Sequence, residues 1–129
     1  MRYLLLIYTQ EPSQAVPEEV VRSETDAYDV FTRELNARGA FRAGEALHLT
    51  SSATTVRVKD GETIATDGPF AETKEALGGF YLIDVRDLDE AIELAAKIPG
   101  ATHGSIEIRP IYEYGASEAG AAETAGVGA

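Results

Sequence analysis

Asp67, Glu72, Lys74 and Glu75 fall within nine residues of one another, around the turn Gly68-Pro69-Phe70. Carboxylates beside an ammonium are the groups needed to move a proton on a small molecule while holding its negative end. Gly68 precedes a proline, which steers it away from the α region, and Pro69 fixes its own φ and offers no N–H donor. The turn is therefore stiff. Asp67 and Glu72 are the candidate catalytic carboxylates, provided burial or a neighbouring charge brings a pKa toward working pH. Lys74 is the candidate contact for an anionic substrate, and Gly68, Pro69 and Phe70 would form the wall beside it. His48, in the polar stretch His48-Leu49-Thr50-Ser51-Ser52, and Arg109 near the last strand are further binding candidates. Each has a plainer reading. Asp67 before Gly68 can cap its own turn, the charged residues can be a solvated cluster contributing ~0–1 kcal/mol, and His48 can be a surface histidine.

The elements that must present this loop can be read on either side of it. Tyr3–Tyr8 and Gly79–Val85 are apolar at nearly every position, where a sheet with one wet face would alternate. Both faces of their sheet need cover, and only two helices are available. A first helix is expected over residues 17–38, with Val20, Val21, Tyr28, Phe31 and Leu35 on its apolar face, Pro17 in its first turn and Gly39 as its stop. A second is expected over residues 88–98, capped by Asp87 with Glu90 three residues on, its buried stripe being Leu88, Ala91, Ile92 and Ala95. Residues 40–48 read as a strand, and residues 54–58 and 63–66 as a hairpin turning at Asp60-Gly61. Residues 105–111 read as the last strand. The order is β-α-β, a hairpin, then β-α-β, an α+β ferredoxin-like βαββαβ plan with an inserted β-hairpin. The second face of the sheet is expected to be covered by a second copy, giving a homodimer through sheet faces.

The chain has 129 residues, a size for one compact domain over residues 1–114, followed by a flexible Gly/Ala-rich tail at 115–129. A net charge of −11 and a pI near 4.5 oppose phosphate backbones, so neither nucleic acid nor an anionic membrane is an expected partner. Cysteine is absent, which removes disulfides, thiolate nucleophiles and cysteine-held metals. His48 and His103 show no ligand-like spacing, so no metal is expected. No dinucleotide fingerprint, phosphate loop or serine elbow occurs, so no organic cofactor is expected either. The start Met1–Tyr8 is too short for a secretory segment and no membrane-length apolar run follows, which points to a bacterial cytoplasmic protein.

Several separated strings carry a family resemblance: RYLLLIY, AY..F..EL...G, GEAL, ATTVRV, TDGPFAETKEALGGFYLI, DLDEAIELA and IEIRPI, in that order across residues 1–112. They resemble the DGPF branch of the YCII-related family, whose signature is the loop described above. The resemblance implies a dimeric α+β barrel, two ferredoxin-like protomers with their sheets face to face, and small-molecule sites between sheet and helices or near the dimer interface. It also implies an enzyme of unassigned reaction. The first helix here lacks the histidine found in many relatives outside that branch, so no His/Asp pair is carried over. Two readings follow. One is a cofactor-independent enzyme, an isomerase or lyase, acting by acid/base chemistry on a small polar or anionic metabolite. The other is a non-catalytic small-molecule-binding or regulatory module, because genes of this kind often neighbour those of alternative sigma factors and an acidic chain suits a basic protein surface.

Overall fold

The structure is a computed structural model that describes residues 1–115; the tail expected beyond lies outside them, apart from Gly115. Strand β1 (Arg2–Thr9) leads to helix α1 (Glu18–Ala37) and strand β2 (Phe41–Ala46). The hairpin β3 (Thr54–Lys59) and β4 (Glu62–Asp67) follows, then β5 (Ala76–Asp84), α2 (Leu88–Ala95) and β6 (Ser105–Pro110). Four strands form one antiparallel sheet in the order β2-β5-β1-β6, while β3 and β4 pair only with each other. This is a ferredoxin-like α+β fold with a hairpin inserted between its halves.

Period-2 alternation decides which face of the sheet is packed. Tyr3, Leu5 and Ile7 of β1 and Tyr81 and Ile83 of β5 are buried against Phe31 and Leu35 of α1 and Ala91, Leu94 and Ala95 of α2. Leu5, Leu35, Ile83, Leu94 and Ile98 are fully enclosed, each contributing about 1.5–3 kcal/mol of transfer free energy. The other face carries the register pairs Leu4/Leu82 and Leu6/Phe80, all half-exposed, with Glu107 and Arg109 of β6 beside Leu6 and Leu4.

The helix ends follow their residues. Gly39 takes φ 70° after α1, and the Ala40 N–H reaches back to the Leu35 carbonyl at 2.9 Å, satisfying a terminal acceptor. The Asp87 carboxylate accepts from the Glu90 N–H at 3.0 Å, while Glu90 accepts from the Arg86 N–H at 2.9 Å, one residue earlier than a reciprocal box would have it. Asp60 and Gly61 both take positive φ, 51° and 78°, the turn whose twist matches a two-residue hairpin.

The helical stripes differ from expectation. Val20 and Val21 are exposed, and of α1 only Phe31 and Leu35 are buried, because the first half of the helix extends past the core. Leu88 and Ile92 of α2 are also exposed; its buried set is Ala91, Leu94 and Ala95, continued by Ile98.

Candidate functional site

Two hollows bear on the site, and only the second is lined by residues of the signature loop. The first is a cleft of about 310 Å³ between α1 and the β2–β5 half of the sheet. Tyr28 and Thr32 come from α1, Phe41 and Gly44 from β2, and Gly79 and Tyr81 from β5. Tyr81 is held in place by edge-on contacts with Phe31 and Phe41, at ring-centroid distances of 5.1 and 6.4 Å. Its hydroxyl shares a 3.0 Å hydrogen bond with Thr32 Oγ1, and the Tyr28 hydroxyl accepts from the Gly100 N–H at 3.2 Å. Burial pushes both phenols above their ordinary value of 10.0, so both remain protonated at neutral pH.

Glycines make this cleft possible. A Cβ on Gly44 would stand 2.7 Å from Cδ1 of the Tyr81 ring, and one on Gly79 would stand 2.8 Å from the Glu45 carbonyl oxygen. Only glycine lets the ring lie along β2 and the two strands pair. Gly78 is the extra residue of a β-bulge opposite Ile7 and Tyr8, and it also lines the cleft. Glu45 is the sole charged residue of the lining.

The second hollow lies behind the signature loop. It has about 450 Å³ and is walled by Gly68, Pro69, Glu72 and Thr73 on one side and by Glu11, Thr50 and Ser51 on the other. Gly68 adopts φ 97°, its N–H donates to the Ala53 carbonyl at 2.8 Å, and its carbonyl accepts from Thr55 Oγ1 at 2.8 Å. The turn is thereby pinned to the start of β3. Glu11 accepts from the Thr50 N–H at 2.8 Å and from Thr50 Oγ1 at 2.6 Å, and these bonds hold its carboxyl below the ordinary 4.5. Carboxylates and hydroxyls without a cation suit a ligand that donates hydrogen bonds.

The predicted residues are only partly gathered. Gly68, Pro69 and Glu72 share this second hollow, whereas Asp67, Phe70, Lys74 and His48 are exposed and line neither one. Asp67, Glu72 and Lys74 make no ion pair or side-chain hydrogen bond among the described residues, so the expected cluster of opposite charges does not form there. Instead Glu75 accepts from Ser105 Oγ at 2.8 Å, and the Thr73 hydroxyl donates to the Glu75 carbonyl. Arg109 sits on the open face of the sheet, 3.8 Å from Glu107. His103 lines a third, smaller hollow of about 270 Å³ with Glu24, Thr9 and the far side of Tyr28. Among the described residues no three histidines or carboxylates converge as a metal site would require.

Sequence reasoning passed over the phenols and glycines of the cleft. Tyr28 and Tyr81 were legible as apolar-face residues, but a buried tyrosine also brings a hydroxyl that must find a partner, and that signal was available. Gly44 follows no turn pattern and had no local signal.

With the geometry in place, comparison with known proteins gives two matches. The sequence pattern of the YCII-related domain matches residues 1–115. An uncharacterized protein of Rhizobium meliloti (strain 1021) is 42% identical over 118 residues, spanning 88% of this chain and 94% of that protein.

Proposed function

The chain belongs to the YCII-related family, and from that premise we propose that it binds a small, largely apolar molecule with one polar end in the cleft under α1. The observation that carries this reading is a volume of about 310 Å³ cleared by Gly44 and Gly79 and capped by the hydroxyls of Tyr28, Thr32 and Tyr81. Such a site grips by apolar burial and orients by a few hydrogen bonds. Thr32 Oγ1 donates to the Tyr28 carbonyl, so the Tyr81 hydroxyl donates to Thr32, and the Tyr28 hydroxyl, which accepts from the Gly100 N–H, is the phenol left to donate; Glu45 is the one carboxylate of the lining. Acid/base turnover without a cofactor, as in an isomerase or lyase, would therefore run between Glu45 and a phenol rather than through Lys74. With no cation in the lining, a neutral molecule fits better than an anion.

A second reading is favoured by the hollow behind the signature loop. There Glu72 and the ionised Glu11 would serve a polar metabolite, and Asp67 and Lys74 would act only after moving inward. The exposure of the loop in a chain of charge −11 also suits a regulatory module that meets a basic partner, such as an alternative sigma factor. The half-exposed pairs Leu4/Leu82 and Leu6/Phe80 support a homodimer through sheet faces. No helix among the described residues is long and apolar enough to cross a membrane, and a cytoplasmic setting is part of the proposal.

A thermal-shift screen of small phenols, aromatic ketones and carboxylates separates these readings, since a ligand stabilises in proportion to its occupancy of the folded state. The cleft reading expects neutral aromatic hits whose shift is lost in Gly44→Ala and kept in Lys74→Ala. Hits that survive Gly44→Ala and vanish in Glu72→Gln or Lys74→Ala would transfer the site to the loop.

A further inference from the structure

We propose that the polar end of the cleft's ligand is a neutral carbonyl oxygen, taken by the hydroxyls of Thr9 and Tyr28 where β1, α1 and the Pro99–Thr102 turn meet. The inference rests on the cleft reading and names the chemical class of its ligand.

Four hydroxyls line the cleft, those of Thr9, Tyr28, Thr32 and Tyr81, and their hydrogen bonds divide them into two pairs. Thr32 Oγ1 gives its proton to the Tyr28 carbonyl at 2.9 Å and takes the proton of Tyr81 at 3.0 Å. The protons of Thr32 and Tyr81 are thus committed within the protein. The Tyr28 hydroxyl takes the Gly100 N–H at 3.2 Å, which leaves its own proton without an acceptor among the described residues. Thr9 Oγ1 has no hydrogen-bond partner among the described residues.

The two uncommitted hydroxyls come from different elements and meet at one corner. Strand parity places Thr9 on the same face of β1 as Ile7, toward α1, and both line the cleft. The glycines around Thr9 show how its side chain is turned. A Cβ on Gly78 would stand 3.9 Å from Thr9 Oγ1. One on Gly100 would stand 3.4 Å from Thr9 Cγ2 and 3.0 Å from the Tyr28 hydroxyl oxygen. Thr9 therefore turns its hydroxyl toward Gly78 of the cleft and its methyl group toward Gly100, beside which the Tyr28 hydroxyl lies. Gly104 closes the corner from behind, since a Cβ there would overlap the Tyr8 carbonyl and stand 2.8 Å from Thr9 Cγ2.

Two donors with nothing to donate to call for an acceptor. A carbonyl oxygen has two lone pairs and no proton of its own, so it takes both donors at once. Glu45, the one charged side chain of the lining, opposes a ligand anion, so the oxygen belongs to a ketone, aldehyde or ester and not to a carboxylate. The apolar remainder of the ligand lies along Ile7, Phe41 and Phe80 of the same lining.

Matched ligands test the assignment. Acetophenone and α-methylstyrene have one flat shape and differ in C=O against C=CH2, while 1-phenylethanol puts a hydroxyl in the same place. Amide chemical-shift titrations give the dissociation constants, and the infrared C=O stretch of bound acetophenone reports on its donors. Wild type should bind acetophenone about tenfold or more tighter than α-methylstyrene, with 1-phenylethanol between them. Tyr28→Phe and Thr9→Val should each cut that lead about three- to tenfold and move the stretch to higher wavenumber than in wild type. Tyr81→Phe should leave both readings unchanged, because that proton is committed to Thr32. Tyr28→Phe deprives the Gly100 N–H of its acceptor; Thr9→Val keeps the side-chain shape, breaks no hydrogen bond among the described residues and carries the test if Tyr28→Phe is unstable. Acetophenone binding no tighter than α-methylstyrene or 1-phenylethanol, with all three lost in Gly44→Ala, overturns the carbonyl assignment and leaves the cleft reading standing. A lead that survives Thr9→Val and Tyr28→Phe but disappears in Tyr81→Phe overturns it as well. Failure of all three to bind wild type at millimolar concentration removes the cleft reading and this inference with it.

Discussion

The cleft under α1, of about 310 Å³, and the hollow behind the signature loop, of about 450 Å³, are opposite in construction. The cleft is built from core: its walls are side chains and glycines that the sheet and α1 could not do without. The hollow is built from a turn: a few backbone and hydroxyl contacts hold Gly68 and Glu11, and the charged side chains beside it stand in solvent. The loop is the conspicuous part of the sequence, and the cleft is the part whose walls belong to the core. The difference teaches that an unusual residue string marks a demanding backbone at least as readily as it marks a reactive site.

The contrast can be broken or sharpened by substitution. Phe31→Ala should have the largest effect, about 3–5 kcal/mol of stability, since it empties the space behind the Tyr81 ring 5.1 Å away. Chemical denaturation reads it, and ligand binding in the cleft should fall with it. Gly44→Ala follows at about 1–3 kcal/mol, because the new methyl group overlaps the packed Tyr81 ring. If Gly44→Ala proves neutral, the glycine account of the cleft fails. Thr55→Val removes the bond to the Gly68 carbonyl and should cost about 0.5–1.5 kcal/mol, with faster amide exchange in the loop and none in the cleft.

Acid separates the two regions without mutation. Glu11 has a folded-state pKa below the unfolded one, so its contribution is complete above about pH 4.5 and is lost as pH falls through the depressed value. The cleft phenols have raised pKa values and stay protonated throughout that range. Loop amides should therefore lose protection below pH 4.5 before cleft amides do, and equal loss in both would blur the distinction. The smallest effect belongs to Asp67→Asn and Lys74→Ala, each within about 0.5 kcal/mol, as neither side chain has a partner among the described residues.

Much of the fold was legible because local chemistry and long-range structure agree. The Asp60-Gly61 turn, the Asp87 cap and Gly39 each impose a backbone state that no tertiary contact has to enforce. The helical faces were less legible. Periodicity reports where apolar side chains line up, not whether the core extends far enough to meet them, so Val20 and Val21 read as buried and are not. The candidate site was read from charge, and charge in a loop says nothing about enclosure. Glu72 reached a hollow through the path of the turn, Arg109 went to the open sheet face through strand parity, and the cleft depends on Gly44 and Tyr81, thirty-seven positions apart and brought together only by strand register.

The place of β1 at the middle of the sheet has a consequence for synthesis. Its partners are β5 and β6, so Tyr3 waits for Ile83 and Leu5 for Ile108. At ribosomal speeds of about 5–20 residues per second, an apolar strand with both edges unpaired stays without its partners for on the order of ten seconds. β1 is thus the strand left longest without its partners during synthesis. Slowing translation between β1 and β5 should raise aggregation of nascent chains without altering the finished fold.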